Sequence, residues 1–325
     1  MDSFWSRITK PFFALAPMAD VTDPAFRRLV ARCGKPDVFW TEFVSADGLY
    51  HMREAARMPD AENPLMRDLA FTEAERPIVA QIFSSKPEMI AYGAGVVAAL
   101  GFDGVDLNMG CPDRAIEKQG AGAALIRTPA RAVELIEAAK KSGLPVSVKT
   151  RIGYASDALD QWLAAILGAK PAAVTLHLRT RKEMSLVPAD WKRMERAVAL
   201  RNRFAPDVLL IGNGDVTSRA QGERLAEETG CDGIMVGRGV FGNPWVFAGR
   251  APADTPLSEK LDALLELARD FETLSPPKHF AIVKKHAKAF VSGFDGAAEL
   301  RAKLMAADTA AEMAALNSPL KRNKP

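Results

Sequence analysis

Gly104-Val105-Asp106-Leu107-Asn108-Met109-Gly110-Cys111-Pro112, followed by Gly120-Ala121-Gly122-Ala123-Ala124-Leu125, is the stretch on which the reading of this chain turns. A short β-rich run, 104–107, ends in a turn that carries Cys111. A glycine-rich segment follows and leads into a helical pattern at 130–142. Strand, turn and helix in that order make one βα unit. A thiol on the turn that ends a strand can reach a ligand, whereas one in a strand interior usually cannot.

Outward from this unit the same pattern repeats. Further β-rich runs occur at 12–16, 38–43, 78–83, 145–149, 173–177, 208–211 and 233–236, separated by segments with helical spacing of apolar residues such as 219–229. Eight strands alternating with helices predict a parallel sheet, and the number eight favours a closed (β/α)8 TIM barrel over an open doubly wound sheet. After Pro244-Trp245 the pattern changes. Residues 251–256 read as a linker, and helical stretches at 257–273, 278–290 and 296–316 follow without a strand signal. The expected organisation is an α/β TIM barrel over 1–253 and a small all-α helical domain over 254–325. The end, from Ser318 on, is expected to be a disordered basic tail.

The 325 residues are 48% hydrophobic and 26% charged, the balance of an ordinary globular protein. A formal net charge of +3 gives the chain as a whole no strong attraction to polyanions. The charge is uneven, however. Residues 275–325 carry nine basic and four acidic side chains, a local excess of five, enough for a basic surface on the helical domain. Cys33, Cys111 and Cys231 are too few and too scattered for a disulfide framework or a zinc cluster, so no metal is expected. Cys33 and Cys231 sit in helix-end contexts and read as structural. Free thiols, no signal pattern at the N-terminus and no apolar run of about 18 residues predict a cytoplasmic protein without a membrane span. A monomer is the expected state.

A barrel builds its active site at the C-terminal ends of its strands. Polar or glycine-rich residues fall at each of those ends: Pro17-Met18, Thr41-Glu42, Gln81, Asn108 with Cys111, Lys149, His177, Asn213-Gly214-Asp215, and Gly237-Arg238. The last two turns let backbone N–H groups approach an anion closely, and loops after strands seven and eight are the usual phosphate site of such barrels. A phosphorylated ligand is expected there. Lys149 is a cation in a confined mouth, suited to stabilising an anionic ring or forming a Schiff base.

Taken in order, these segments resemble the tRNA-dihydrouridine synthases. Asn108 to Pro112 with Gly120 to Leu125 is similar to that family's signature. Ala16-Pro17-Met18-Ala19, Thr41-Glu42, Gln81-Ile82-Phe83, Val148-Lys149-Thr150-Arg151, His177-Leu178-Arg179-Thr180-Arg181, Gly212-Asn213-Gly214-Asp215-Val216 and Val236-Gly237-Arg238-Gly239 through Trp245 also resemble family positions. Two positions depart from the pattern. Ser84 stands where glycine is common, and Leu178 where a small residue is usual, which would narrow the uridine side of the pocket.

The resemblance implies an FMN-dependent, NADPH-driven reduction of the C5–C6 bond of specific uridines in tRNA, with the target base drawn out of the RNA fold. Hydride passes from reduced FMN to carbon 6, and Cys111 is the general acid that protonates carbon 5. By the same resemblance Pro17, Met18 and Ala19 lie against the isoalloxazine. Gln81, Lys149 and His177 contact the flavin, and Asn213, Gly214, Asp215, Gly237 and Arg238 hold the ribityl chain and phosphate. Asn108 holds the uracil edge, Arg179 and Arg181 face the RNA, and Lys284, Lys285, Lys288 and Arg301 grip tRNA phosphates. Two other readings compete. A flavin barrel acting on a free pyrimidine, as a dihydroorotate dehydrogenase does, would need neither the basic helices nor the Arg179-Thr180-Arg181 run. A non-enzymatic RNA-binding barrel would need neither flavin nor Cys111.

Overall fold

The computed structural model describes residues 3–322, and their side chains through 316. Eight parallel strands form one sheet: β1 (Phe12–Leu15), β2 (Phe39–Ser45), β3 (Ile78–Phe83), β4 (Gly104–Met109), β5 (Val146–Arg151), β6 (Ala173–His177), β7 (Leu209–Asn213) and β8 (Gly233–Val236). Neighbours in sequence are neighbours in space, and β1 pairs with β8. A parallel bridge between Ala14 and Val38, with the Leu15 N–H donating to the Val38 carbonyl at 3.2 Å, brings β1 to β2 and closes the ring. The expected TIM barrel is the observed fold.

Side chains alternate across each strand, so every second residue points into the barrel. The lower interior is an apolar plug that includes Phe12, Ala14, Trp40, Val79, Leu209, Ile211 and Met235. Outward-facing Val105, Leu107, Met109, Val146 and Val148 pack instead into the apolar layer shared with the helices. The positions nearer the strands' C-terminal ends turn polar: Gln81 on β3, Asp106 and Asn108 on β4, Ser147 and Lys149 on β5, Thr175 and His177 on β6, and Asn213 on β7. Register fixes who meets whom. Gln81 lies beside Asp106, Asn108 beside Lys149, Arg151 beside His177, and His177 beside Asn213.

Four strands run further than their composition indicates, β2 among them, which reaches Ser45. β4 reaches Met109, so Asn108 belongs to the strand and the turn starts at Gly110. β5 includes Thr150 and Arg151, and β7 includes Gly212 and Asn213. Apart from the apolar Val44 and Met109, the added residues are polar or glycine, which the ladder tolerates because neighbours across the sheet supply the pairing.

The C-terminal helices are Leu257–Glu272, Ala281–Phe290, Ala297–Ala306 and Ala310–Arg322. The stretch 296–316 is thus two helices, not one. Thr309 and Glu312 explain the break: Thr309 Oγ1 accepts from the Glu312 N–H at 3.1 Å, and Glu312 accepts from the Asp308 N–H at 2.7 Å. This Thr-x-x-Glu start signal lies inside a run of alanines. The last helix also continues to Arg322, into the stretch expected to be a disordered tail, while residues 323–325 lie outside the described ones. Leu261, Leu264, Leu265 and Ala268 form an i, i+3, i+4, i+7 stripe on Leu257–Glu272 and are buried in the same apolar layer as Phe26 and Leu29 of the barrel helix Pro24–Gly34. The apolar core therefore runs without interruption from the barrel into the helices.

Candidate active site

Two adjoining cavities occupy the barrel mouth and share Pro17, Lys149, Arg151 and His177 in their walls. The larger, about 560 Å³, adds Met18, Arg179, Asn213, Gly214, Asp215, Gly237, Arg238 and Gly239. The smaller, about 210 Å³, adds Phe43, Gln81, Asn108, Gly110, Cys111, Pro112 and Thr150. Apart from Thr41 and Glu42 of β2, which line neither cavity, the strand-end residues singled out in the sequence are thereby gathered at one place. Ala19, next in the loop after Met18, lines neither cavity.

The larger cavity is cationic. Lys149, its Nζ 3.1 Å from Asn213 Oδ1, has its pKa lowered to about 8, by burial first and then by the Arg151 charge beside it. His177 is pushed far below the usual histidine value, chiefly by burial and then by Lys149, Arg151, Arg179 and Arg238, so its ring is neutral. Arg179 Nη1 lies 3.1 Å from His177 Nε2. A guanidinium only donates, so Nε2 accepts and the ring proton sits on Nδ1. Asp215 ties this wall together. Its carboxylate accepts from Arg179, from Arg238 at 2.7 Å and from the Ala189 N–H at 2.9 Å, and these contacts, Arg179 first, lower its pKa. Asp215 therefore acts by holding guanidinium groups. Gly214, at φ 141°, has no room for a side chain, because a Cβ would come 2.6 Å from Ala189 Cβ.

The smaller cavity carries the thiol. Cys111 packs against an apolar cluster of Phe43, Phe83, Ile116 and Ala121. Burial there raises its pKa above the usual thiol value, so it holds its proton. Its turn is built from three sides. The Gly110 and Cys111 N–H groups donate to Asn108 Oδ1 at 3.2 and 2.9 Å. Arg151 Nε donates to the Gly110 carbonyl at 2.9 Å, and its Nη1 to the Thr180 and Met184 carbonyls. From behind, the Ala123 N–H donates to the Cys111 carbonyl at 2.9 Å. Gly122 makes that approach possible: its φ is +60°, and a Cβ would lie 2.7 Å from the Cys111 oxygen.

Several expectations shift in this setting. Arg179 does not face outward; it is 2% exposed, with its charge spent on Asp215. Arg181 clasps Glu117 and lies 3.5 Å from the Pro112 carbonyl, at the rim beside the Cys111 turn. Lys284 pairs with Asp308 at 2.8 Å and Arg301 donates to the Val291 carbonyl at 2.9 Å, so both serve packing of the helices. Lys285 and Lys288 are exposed on the same helix, and Lys285 lies 3.5 Å from Asp20 of the β1 loop. Leu178 is fully buried in the apolar core and narrows no cavity wall. Ser84 donates to Asp47 at 2.5 Å and accepts from the Lys86 N–H, a loop brace that glycine would lack. Glu42 is buried and bound to Lys278 at 2.7 Å. Arg151, Phe43 and Asp106 were not singled out by sequence reasoning. Arg151 and Asp106 are flagged by alternation, since they fall in phase with Lys149 and Asn108.

A family model described as "Dihydrouridine synthase (Dus)" matches residues 14–324. The chain belongs to the dihydrouridine synthase family. It is 43% identical to the probable tRNA-dihydrouridine synthase 2 of Bacillus subtilis, over 99% of this chain and 97% of that one. It is 42% identical to a probable tRNA-dihydrouridine synthase of Staphylococcus aureus, covering 97% and 94%. Among solved structures it resembles a 2-naphthoyl-CoA reductase (TM-score 0.54, 9% identity, 73% of this chain) and a Rhizobium histamine dehydrogenase (TM-score 0.52, 13% identity, 81% of this chain). The chain spans about half the length of those two, and the likeness is one of fold. Ser84 and Leu178 line neither cavity. Among the described residues no His, Cys, Asp and Glu cluster is placed to hold a metal, and no helix is long and apolar enough to cross a membrane.

Proposed function

We propose that this chain reduces the C5–C6 double bond of uridines in tRNA, with flavin mononucleotide in the larger cavity and NADPH as reductant. One observation carries the reading: a protonated thiol, Cys111, stands in a small cavity that opens, past Lys149, Arg151 and His177, onto a large cationic one. The wall chemistry fits the cofactor. Arg238 and the glycine turns after β7 and β8 suit a phosphate, and Lys149 suits the electron-rich end of a reduced ring. When bound, the flavin supplies the hydride.

The chain's own residues supply the rest. Cys111, as a thiol with a raised pKa, acts as proton donor to carbon 5 rather than as nucleophile. Asn108 Nδ2 gives one hydrogen to Gln81 and has a second for a uracil carbonyl. The apolar surround of Phe43 and Phe83 excludes water and receives an extruded base. Arg181 at the rim, with Lys285 and Lys288 on the helical segment 254–325, offers positive charge to the RNA backbone. A cytoplasmic setting, with reduced thiols and tRNA at hand, goes with this chemistry.

The test is direct. The purified protein should absorb as a flavoprotein and, given NADPH and unmodified tRNA, add two hydrogens per target uridine by nucleoside mass analysis, while free uridine and orotate are left unchanged. Protein without flavin, or turnover of a free pyrimidine in preference to tRNA, would overturn the reading.

A further inference from the structure

The buried carboxylate of Asp106 has no part in the chemistry described so far. We propose that Asp106 is a positioning residue for Cys111, acting through a one-directional chain of side-chain amides that fixes which way Asn108 faces and so holds the thiol's turn. The proposal rests on the reading of Cys111 as proton donor.

The chain runs along adjacent strands. Asp106 is fully buried on β4. Its Oδ1 accepts from Ser147 Oγ and its Oδ2 from Gln81 Nε2, both at 2.6 Å. With its nitrogen turned to Asp106, Gln81 presents Oε1, which accepts from Asn108 Nδ2 at 3.0 Å. Asn108 is then left with Oδ1 facing the Gly110 and Cys111 N–H groups.

The direction matters because an amide can sit either way round. Nothing within Gln81 or Asn108 chooses between the two, as each end of one can pair with either end of the other. An ionised carboxylate only accepts, so Asp106 fixes the direction at its end of the chain, and the Gly110 and Cys111 N–H groups, which only donate, fix the same direction at the other. With both amides reversed, Asn108 Nδ2 would confront two backbone N–H donors and the Cys111 turn would lose its acceptor. Burial raises the Asp106 pKa to about 6, against the hydrogen bonds from Ser147 and Gln81 and the Lys149 charge, so the carboxylate is still mostly ionised at neutral pH.

Three variants test this in flavin-loaded protein: Asp106→Leu, Asp106→Asn and, as a comparison, Cys111→Ala. In Asp106→Leu both acceptors are gone. Dihydrouridine formation per bound flavin should fall on the order of 100-fold, the scale of a misplaced reacting group, while flavin reduction by NADPH stays near wild type. Alkylation of Cys111 by iodoacetamide, followed by peptide mass mapping, should become faster as the turn loosens. Asp106→Asn keeps an oxygen toward Gln81 and can donate to the Ser147 hydroxyl, so it should restore most of both properties. Should the leucine variant not fold, Gln81→Met severs the middle link and must show the same faster alkylation. Wild-type turnover and alkylation in the leucine variant, or an asparagine variant as impaired as the leucine one, would overturn the proposal. Full activity of Cys111→Ala would instead overturn the proton-donor reading, and the alkylation rates would still report on the chain.

Discussion

Lys149 stands in the wall that the two cavities share. Its ammonium is buried beside Arg151, and its pKa is lowered to about 8. The charge is present below that value and is lost as pH rises through it. An anionic ligand that relies on the charge must bind more weakly as pH climbs from 7 to 9. FMN affinity of the apoprotein, measured by fluorescence quenching, should therefore fall across that range. Lys149→Met should bind about tenfold more weakly at pH 7 with the slope gone, and an unchanged slope would remove Lys149 from the flavin's surroundings. Lys149 was legible in the sequence because it ends a β-rich run among other strand-end polar residues. Asp106 was not, although it stands two residues from Asn108. Read as part of a short apolar run it looks like an exception, and only the inward phase shared with Asn108, Ser147 and Lys149 gives it a place. Arg151 was lost in the same way, by ending β5 two residues early.

At the scale of elements, the barrel was legible because eight β-rich runs and their helices repeat one pattern. The helical segment was legible in outline, and its internal break was masked by alanines around the Thr309–Glu312 cap. What no pattern revealed is how the helix Ala281–Phe290 seats on the barrel. His286 from that helix is 1% exposed and stacks on Phe26 of Pro24–Gly34 at 4.6 Å, with Phe241 at 6.0 Å. Burial, aided by Lys285, lowers its pKa to about 4. The unfolded chain, with an ordinary histidine near 6.5, takes up a proton first as pH falls. The packed neutral ring thus contributes fully above about 6.5, and the contribution drains away as pH drops toward 4, by up to about 3 kcal/mol. His286→Phe, which keeps a flat ring in place, should lose less stability than wild type between pH 7 and pH 5 in urea titrations. Parallel losses in the two proteins would show that His286 titrates normally.

Across the whole molecule, the helical segment and the loop after β1 are joined by charge. The Lys278 side chain is 6% exposed, with Nζ 2.7 Å from Glu42 and 3.1 Å from Asp68. Burial opposes its charge, but the two carboxylates outweigh it and hold its pKa above the usual lysine value. Glu42 in turn accepts from the Asp20 N–H, in the loop that follows Pro17 and Met18. Removing the cation leaves a buried carboxylate without its partner, a change that costs about 3–5 kcal/mol. Lys278→Met should lower stability by that order and speed amide exchange in the loop 17–22 and in Ala281–Phe290; unchanged exchange would mean the contact holds nothing. The exposed pair Lys285 and Lys288 belongs to the same scale, because with Arg181 it forms the proposed contact with the RNA backbone. Reversing both charges should weaken tRNA binding and flatten its salt dependence by about two phosphate contacts, and unchanged affinity would move the RNA to another face.

In the proposed reaction Cys111 delivers a proton to a uridine of tRNA in the smaller cavity. Dihydrouridine formation in unmodified tRNA, compared between wild type and Cys111→Ala at matched flavin content, tests it most directly. The variant should bind flavin and tRNA and be reduced by NADPH as wild type is, yet form dihydrouridine at least about 100-fold more slowly. Formation at the wild-type rate would contradict it.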